Sequence, residues 1–110
     1  MIIKSCGIEF RALSWNFVRD GMWGHIYFLV PKGTFESGAN NGAYALQDVP
    51  ASTISELDYA GDFDWDKYQL VHAATPCMAI GEDGNGGDNC ENYKLDDILQ
   101  AAADFICQNL

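Results

Sequence analysis

The alternation of hydrophobic and polar residues along this chain predicts an antiparallel sheet. Residues 8–18 alternate, but Leu13, Trp15 and Phe17 complicate the second face, which is typical of a strand with a bulge or of one partly covered on both sides. The run His25–Val30 is the clearest strand, because it is apolar and a proline follows it. Between these strands, Asp20 and Gly21 supply the positive φ of a tight turn, so we expect a hairpin. Shorter strands are predicted at 43–46, 68–73 and 77–80.

Two helices are predicted, one short and one long. Thr53 and Glu56 fit a capping box for a short helix at 53–60. The long helix, at 93–108, has an apolar stripe made by Leu95, Ile98, Leu99, Ala102, Phe105 and Ile106, with Asp96, Asp97 and Asp104 outside it. The glycine-rich segment 32–42 is predicted to be a loop. The element order indicates one α+β domain over residues 1–110, a mainly antiparallel sheet of about four to five strands packed against the C-terminal helix.

The charge of the chain is divided unevenly between its two parts. Of 110 residues, 16 are acidic and only 6 are Lys or Arg, for a net charge of −10. Residues 1–47 carry a net charge of +1, whereas residues 48–110 carry thirteen carboxylates against Lys67 and Lys94. Such an excess creates a negative field that repels nucleic acid and attracts basic proteins. We therefore expect no direct binding to nucleic acid.

The densest acidic stretch is 56–68, where aromatic residues separate the carboxylates. Over 62–66 the carboxylates and aromatic residues alternate strictly. If this segment were a strand, three carboxylates would lie on one face and two aromatic rings on the other. A row of like charges does not help folding, so we interpret it as a surface for a positively charged partner; the alternative is a solvated face. The stretch supplies the first part of the predicted partner-binding surface: Glu56, Asp58, Tyr59, Asp62, Phe63, Asp64, Trp65 and Asp66.

Further candidates for the same surface lie elsewhere in the chain. Trp23 is next to glycine near the expected hairpin tip, where burial of a large ring is difficult, and exposed aromatics beside fixed charge suit an interface. The polar loop 82–92 adds Glu82, Asp83 and Asp88.

Metal and catalytic sites are weakly indicated. The loop beginning at Asp83 resembles a calcium loop in composition, but Asp88 and Lys94 stand where glycine and glutamate are needed. Zinc would require His72, Cys77 and Cys90 with Cys107 or Cys6, a spacing that matches no compact zinc module. A cysteine beside His25 or His72 could act as a nucleophile, but the pattern of the chain does not select one. We therefore predict no enzyme activity, no metal and no cofactor.

The four cysteines, Cys6, Cys77, Cys90 and Cys107, form no Cys-x-x-Cys pair. The chain starts without the pattern of a signal peptide, and no apolar run reaches the roughly 20 residues of a membrane span. We therefore expect a cytosolic protein with no membrane partner and with reduced cysteines.

These features together favour a small acidic inhibitor or decoy. A carboxylate surface that mimics nucleic acid would occupy the basic groove of a nucleic-acid-binding target. Phage-encoded anti-CRISPR and anti-restriction proteins of the host cytosol are often similar in character: small, acidic and free of catalytic motifs. Such a protein would be a monomer or homodimer. Alternatives are an immunity protein that neutralises a nuclease toxin, a structural or assembly protein, and a small enzyme or metal-binding protein.

Overall fold

The computed structural model describes residues 2–17, 23–46, 64–76 and 95–110. Of the predicted elements, the turn at 20–21, the short helix at 53–60 and the strand at 77–80 lie outside these ranges. The described residues form an α+β fold of six strands and one helix: β1 (Ile2–Ser5), β2 (Ile8–Phe17), β3 (Trp23–Pro31), β4 (Gly38–Asn40), β5 (Ala43–Leu46), β6 (Tyr68–Pro76) and α1 (Leu95–Asn109).

The six strands form one antiparallel sheet in the order β1-β2-β3-β6-β5-β4. The predicted bulge in β2 is present, since the register with β3 shifts between Ala12 and Ser14. Our count of four to five strands was too low, because β1 and β4 were not predicted; β4 lies within the segment assigned to a loop. β6 also runs on to Pro76, three residues past its predicted end.

Both hairpins at the edges of the sheet close through two-residue turns. Cys6 and Gly7 join β1 to β2, and Asn41 and Gly42 join β4 to β5, each of the four with a positive φ. Two successive positive φ angles give a turn whose twist matches that of the strands. Asn and Gly adopt this conformation readily, whereas cysteine does so rarely.

The main core lies between α1 and one face of the sheet. Ile98, Leu99, Ala102 and Ile106 of the predicted stripe are buried, as is Ala103. They pack against side chains that alternate along the strands, namely Ile3, Phe10, Ile26, Phe28, Val30, Ala43, Ala45, Val71 and Ala73. Phe105 is partly buried and packs against this core. Asp96, Asp97 and Asp104 lie outside the apolar cluster, as predicted; Asp96 and Asp97 are exposed, whereas Asp104 is partly buried and accepts hydrogen bonds from Ser5 and Gln100.

The last turns of α1 are joined to both edge hairpins. Cys107 forms a disulfide with Cys6 in the β1–β2 turn, with a Cα–Cα distance of 6.3 Å. Asn109 accepts hydrogen bonds from the side-chain amides of Asn40 (2.7 Å) and Asn41 (3.2 Å) at the β4–β5 turn. The expectation of reduced cysteines is therefore wrong for Cys6 and Cys107. Sequence spacing could not reveal a pair that is 101 residues apart.

We expect removal of this disulfide to lower the free energy of unfolding by about 2–5 kcal/mol, because the cross-link closes a loop of nearly the whole chain. Urea denaturation of Cys6→Ser/Cys107→Ser, compared with the oxidised protein, measures the loss. Cys6→Ser alone should cost about as much as the double variant, since either change removes the bond. Equal stability with and without dithiothreitol would contradict this prediction.

We expect Gly42→Ala to destabilise the fold more than Gly33→Ala. Both glycines have a positive φ, +89° for Gly42 and +84° for Gly33, so each substitution strains the backbone by about 1 kcal/mol. A Cβ at Gly42 would also lie 2.6 Å from the carbonyl oxygen of Ala74, whereas a Cβ at Gly33 meets nothing within 4 Å. Thermal unfolding of the two variants measures the difference in stability, which is the steric cost at Gly42. Equal losses of stability would show that the turn relaxes around the added methyl group.

Candidate functional site

The described part of the acidic stretch is a turn that leads into β6. The amides of Lys67 and Tyr68 donate to the carbonyl of Asp64 at 2.9 and 3.2 Å, and the amide of Asp66 donates to the Asp64 carboxylate at 3.0 Å. The extended conformation considered for 62–66 is therefore absent at 64–66. An aspartate carboxylate that accepts from the backbone two residues further on favours a turn over a sheet ladder.

Trp65 anchors this turn, which exposes the two neighbouring carboxylates. The Trp65 ring is partly buried and packs against a second apolar cluster, Leu13, Leu29 and Leu70, on the face of the sheet opposite α1. Asp64 and Asp66 are exposed. Lys67 reaches Asp64 at 3.9 Å, with both side chains at least half exposed, and such a pair contributes about 0–1 kcal/mol. The turn thus presents two carboxylates from a fixed backbone.

Most of the other predicted partner-binding residues lie outside the described ranges: Glu56, Asp58, Tyr59, Asp62, Phe63, Glu82, Asp83 and Asp88. Trp23 is the first residue of β3 and pairs with Pro76 of β6. The backbone at Trp23 is therefore part of a strand.

A row of aromatic rings crosses three strands on the face opposite α1. His72 of β6 is the direct partner of Tyr27 on β3 and of Tyr44 on β5. The Tyr27 and His72 rings are stacked with their centroids 4.3 Å apart and their planes 5° apart. The centroids of Tyr44 and His72 are 5.3 Å apart. The His72 ring is therefore held between two tyrosine rings.

His25 continues this row along β3. It pairs with Ala74, two residues from His72, so the two imidazoles are diagonal neighbours on one face. His25 Nδ1 and His72 Nε2 are 3.2 Å apart, within hydrogen-bonding distance. One ring donates its N–H and the other accepts, so the pair shares one proton when both are neutral.

The surroundings of His72 favour its neutral form. Burial, with a smaller contribution from the neighbouring His25, lowers the pKa of His72 to about 4. A neutral imidazole can accept a hydrogen bond, take up a proton or bind a metal ion.

We expect the stability of the fold to decrease as the pH falls from about 6.5 to about 4. In the unfolded chain His72 takes up a proton near pH 6.5, whereas folded His72 resists protonation until about pH 4. Its contribution is therefore complete above pH 6.5, and about 3 kcal/mol is lost across this window. Urea titrations at several pH values measure the slope.

The matched variant for this test is His72→Gln, in which the slope between pH 5 and 6.5 should be shallower. His25→Gln should retain part of the slope, because burial is the larger cause of the lowered pKa. Equal slopes of the free energy of unfolding against pH in the parent protein and in His72→Gln would contradict the assignment of this slope to His72.

A shallow depression lies near the Asp64 turn, lined by Ile2, Glu9, Arg11, Leu29, Pro31 and Tyr68. Its volume of about 60 Å³ is well below the roughly 300–1,000 Å³ typical of small-molecule sites. The Arg11 guanidinium lies 5.8 Å from the centre of the Tyr68 ring. This depression is too small to hold a cofactor.

Two further findings concern the described residues alone. Within 2–17, 23–46, 64–76 and 95–110, no three His, Cys, Asp or Glu side chains are grouped so as to hold a metal ion. No helix in this part of the chain is both long and apolar enough to cross a membrane.

The chain matches no protein family, no curated protein and no solved structure. Function must therefore be argued from its own residues.

Proposed function

We propose that the chain is a small acidic inhibitor that binds a basic, nucleic-acid-binding surface of another protein. The observation that carries the proposal is the Asp64–Lys67 turn, in which Trp65 fixes the backbone while Asp64 and Asp66 are exposed. Carboxylates on a fixed backbone lose little conformational entropy on binding, so they can stand in for phosphates more effectively than carboxylates on a mobile segment.

The charge distribution supports a basic partner. The turn belongs to the part of the chain, residues 48–110, that has thirteen acids and two lysines. Asp96 and Asp97 in the first turn of α1 are also exposed. A concentrated negative field accelerates encounter with a positively charged surface and repels nucleic acid itself.

The full binding surface that we propose includes residues outside the described ranges. Trp65 contributes the exposed part of its partly buried side chain, and Trp23 adds contact area. The remaining contacts come from Glu56, Asp58, Tyr59, Asp62, Phe63, Glu82, Asp83 and Asp88. The target is a nucleic-acid-processing protein of the kind that anti-CRISPR or anti-restriction proteins inhibit. Binding takes place in the host cytosol. The inhibitor is a monomer or homodimer.

The cytosolic setting places a requirement on the Cys6–Cys107 bond. Cytosolic thiols are kept reduced, so the bond must be either dispensable for binding or resistant to reduction there. Cys6 is exposed, which makes the bond accessible to thiols. The binding surface proposed here uses neither cysteine.

We expect Asp64→Asn/Asp66→Asn to weaken target capture severalfold, because it removes two exposed negative charges from the binding surface. Asparagine at position 64 keeps an acceptor for the Asp66 amide, so the turn can persist. The measurement is capture from a nuclease-treated bacterial lysate at low and moderate salt, followed by elution with double-stranded DNA. Capture should decrease as the salt concentration rises, and DNA should displace the captured protein.

The matched control is Glu9→Gln/Glu36→Gln, which makes the same change in net charge at two exposed acids outside the acidic stretch. An equal loss of target capture in both double variants would show that net charge alone determines capture. Capture that resists DNA would contradict nucleic-acid mimicry.

A further inference from the structure

The edge-to-edge pair His25–His72 has the geometry of two ligands to a single ion. We propose that His25 Nδ1 and His72 Nε2 bind one divalent transition-metal ion, with water completing its coordination.

The distance between the two nitrogens suits a shared ion. Histidine nitrogens lie about 2.0–2.1 Å from zinc, so two of them are about 2.9 Å apart at a right angle and about 3.4 Å apart at a tetrahedral angle. The observed separation of 3.2 Å falls between these values. Little movement of either strand is needed for both nitrogens to reach one ion.

The orientation of the two rings is also suitable. Their centroids are 5.3 Å apart while the facing nitrogens are 3.2 Å apart, and their planes differ by 17°. The nitrogens are closer together than the ring centres, so the nitrogen-bearing edges of the two rings face each other. Because 3.2 Å is shorter than two Zn–N bonds end to end, an ion bound to both nitrogens lies beside the line that joins them, and each ring turns to direct its nitrogen at the ion.

The aromatic neighbours of His72 also prepare the site for an ion. Tyr27 and Tyr44 hold the His72 ring between them, which limits the entropy lost on binding. The ring that donates the shared proton must move it to its other nitrogen, so coordination releases no net proton.

The ligand type defines the class of ion. Imidazole suits zinc, copper and nickel, whereas magnesium and calcium prefer oxygen ligands. Two protein ligands leave positions open on the ion, and these can accept water or a group from a partner.

Isothermal titration calorimetry of the full chain, without an affinity tag, tests the proposal with Ni²⁺ and Zn²⁺. We expect one equivalent to bind at pH 7, and His25→Gln and His72→Gln each to weaken binding by about tenfold or more. Tyr44→Phe is the matched control, since it keeps the ring against His72 and should leave the affinity unchanged. Asp64→Asn/Asp66→Asn should also bind normally.

Nuclear magnetic resonance of the unmodified protein gives a second readout that does not depend on the folding of a variant. Zn²⁺ should shift the imidazole nitrogen signals of His25 Nδ1 and His72 Nε2, and an excess of Mg²⁺ should not. The proposal fails if Ni²⁺ and Zn²⁺ do not bind, if both histidine variants bind as the parent does, or if the shifts occur at carboxylates instead.

Discussion

The packing of α1 on one face of the sheet is the interaction on which the described fold depends. The buried stripe of the helix covers the central strands, and its last turns contact both outer hairpins, through Cys107 at one edge and Asn109 at the other. A four-residue strand such as β1 has few ladder hydrogen bonds of its own. Its attachment to α1 therefore contributes much of what keeps it in the sheet.

The sequence predicted the helix and the long strands and missed the two short edge strands, β1 and β4. The five stripe positions of α1 whose side chains are described are buried or partly buried, and β3 and β5 lie where the pattern indicated. All three residues of β4 are exposed, so β4 carries no hydrophobic pattern to recognise. The available signal was Asn41 with Gly42, which is the strongest short hairpin motif. The strand order could not be predicted, because no local pattern encodes the pairing of β3 with β6.

The acidic stretch shows how one pattern fits two structures. Alternating Asp and aromatic residues satisfy a strand with an apolar face, but they also satisfy a turn in which one ring points inward between two exposed carboxylates. Trp65 packs on the leucine cluster in the second way. The turn has its own source of stability, because the Asp64 carboxylate accepts a backbone hydrogen bond that a strand would not offer. Local hydrogen bonding thus decided the conformation, and hydrophobic periodicity did not.

The acidic surface and the histidine pair use different physical properties of the same molecule. The carboxylates are exposed and act through a long-range field, which attracts a basic protein. The two histidines lie among aromatic rings and act at short range, and their nitrogen ligands discriminate between ions of equal charge. The sequence indicated the negative electrostatic field of residues 48–110, because charged residues can be counted along the chain. The histidine pair depends on the register that makes His25 and His72 diagonal neighbours, and that register exists only in the folded sheet.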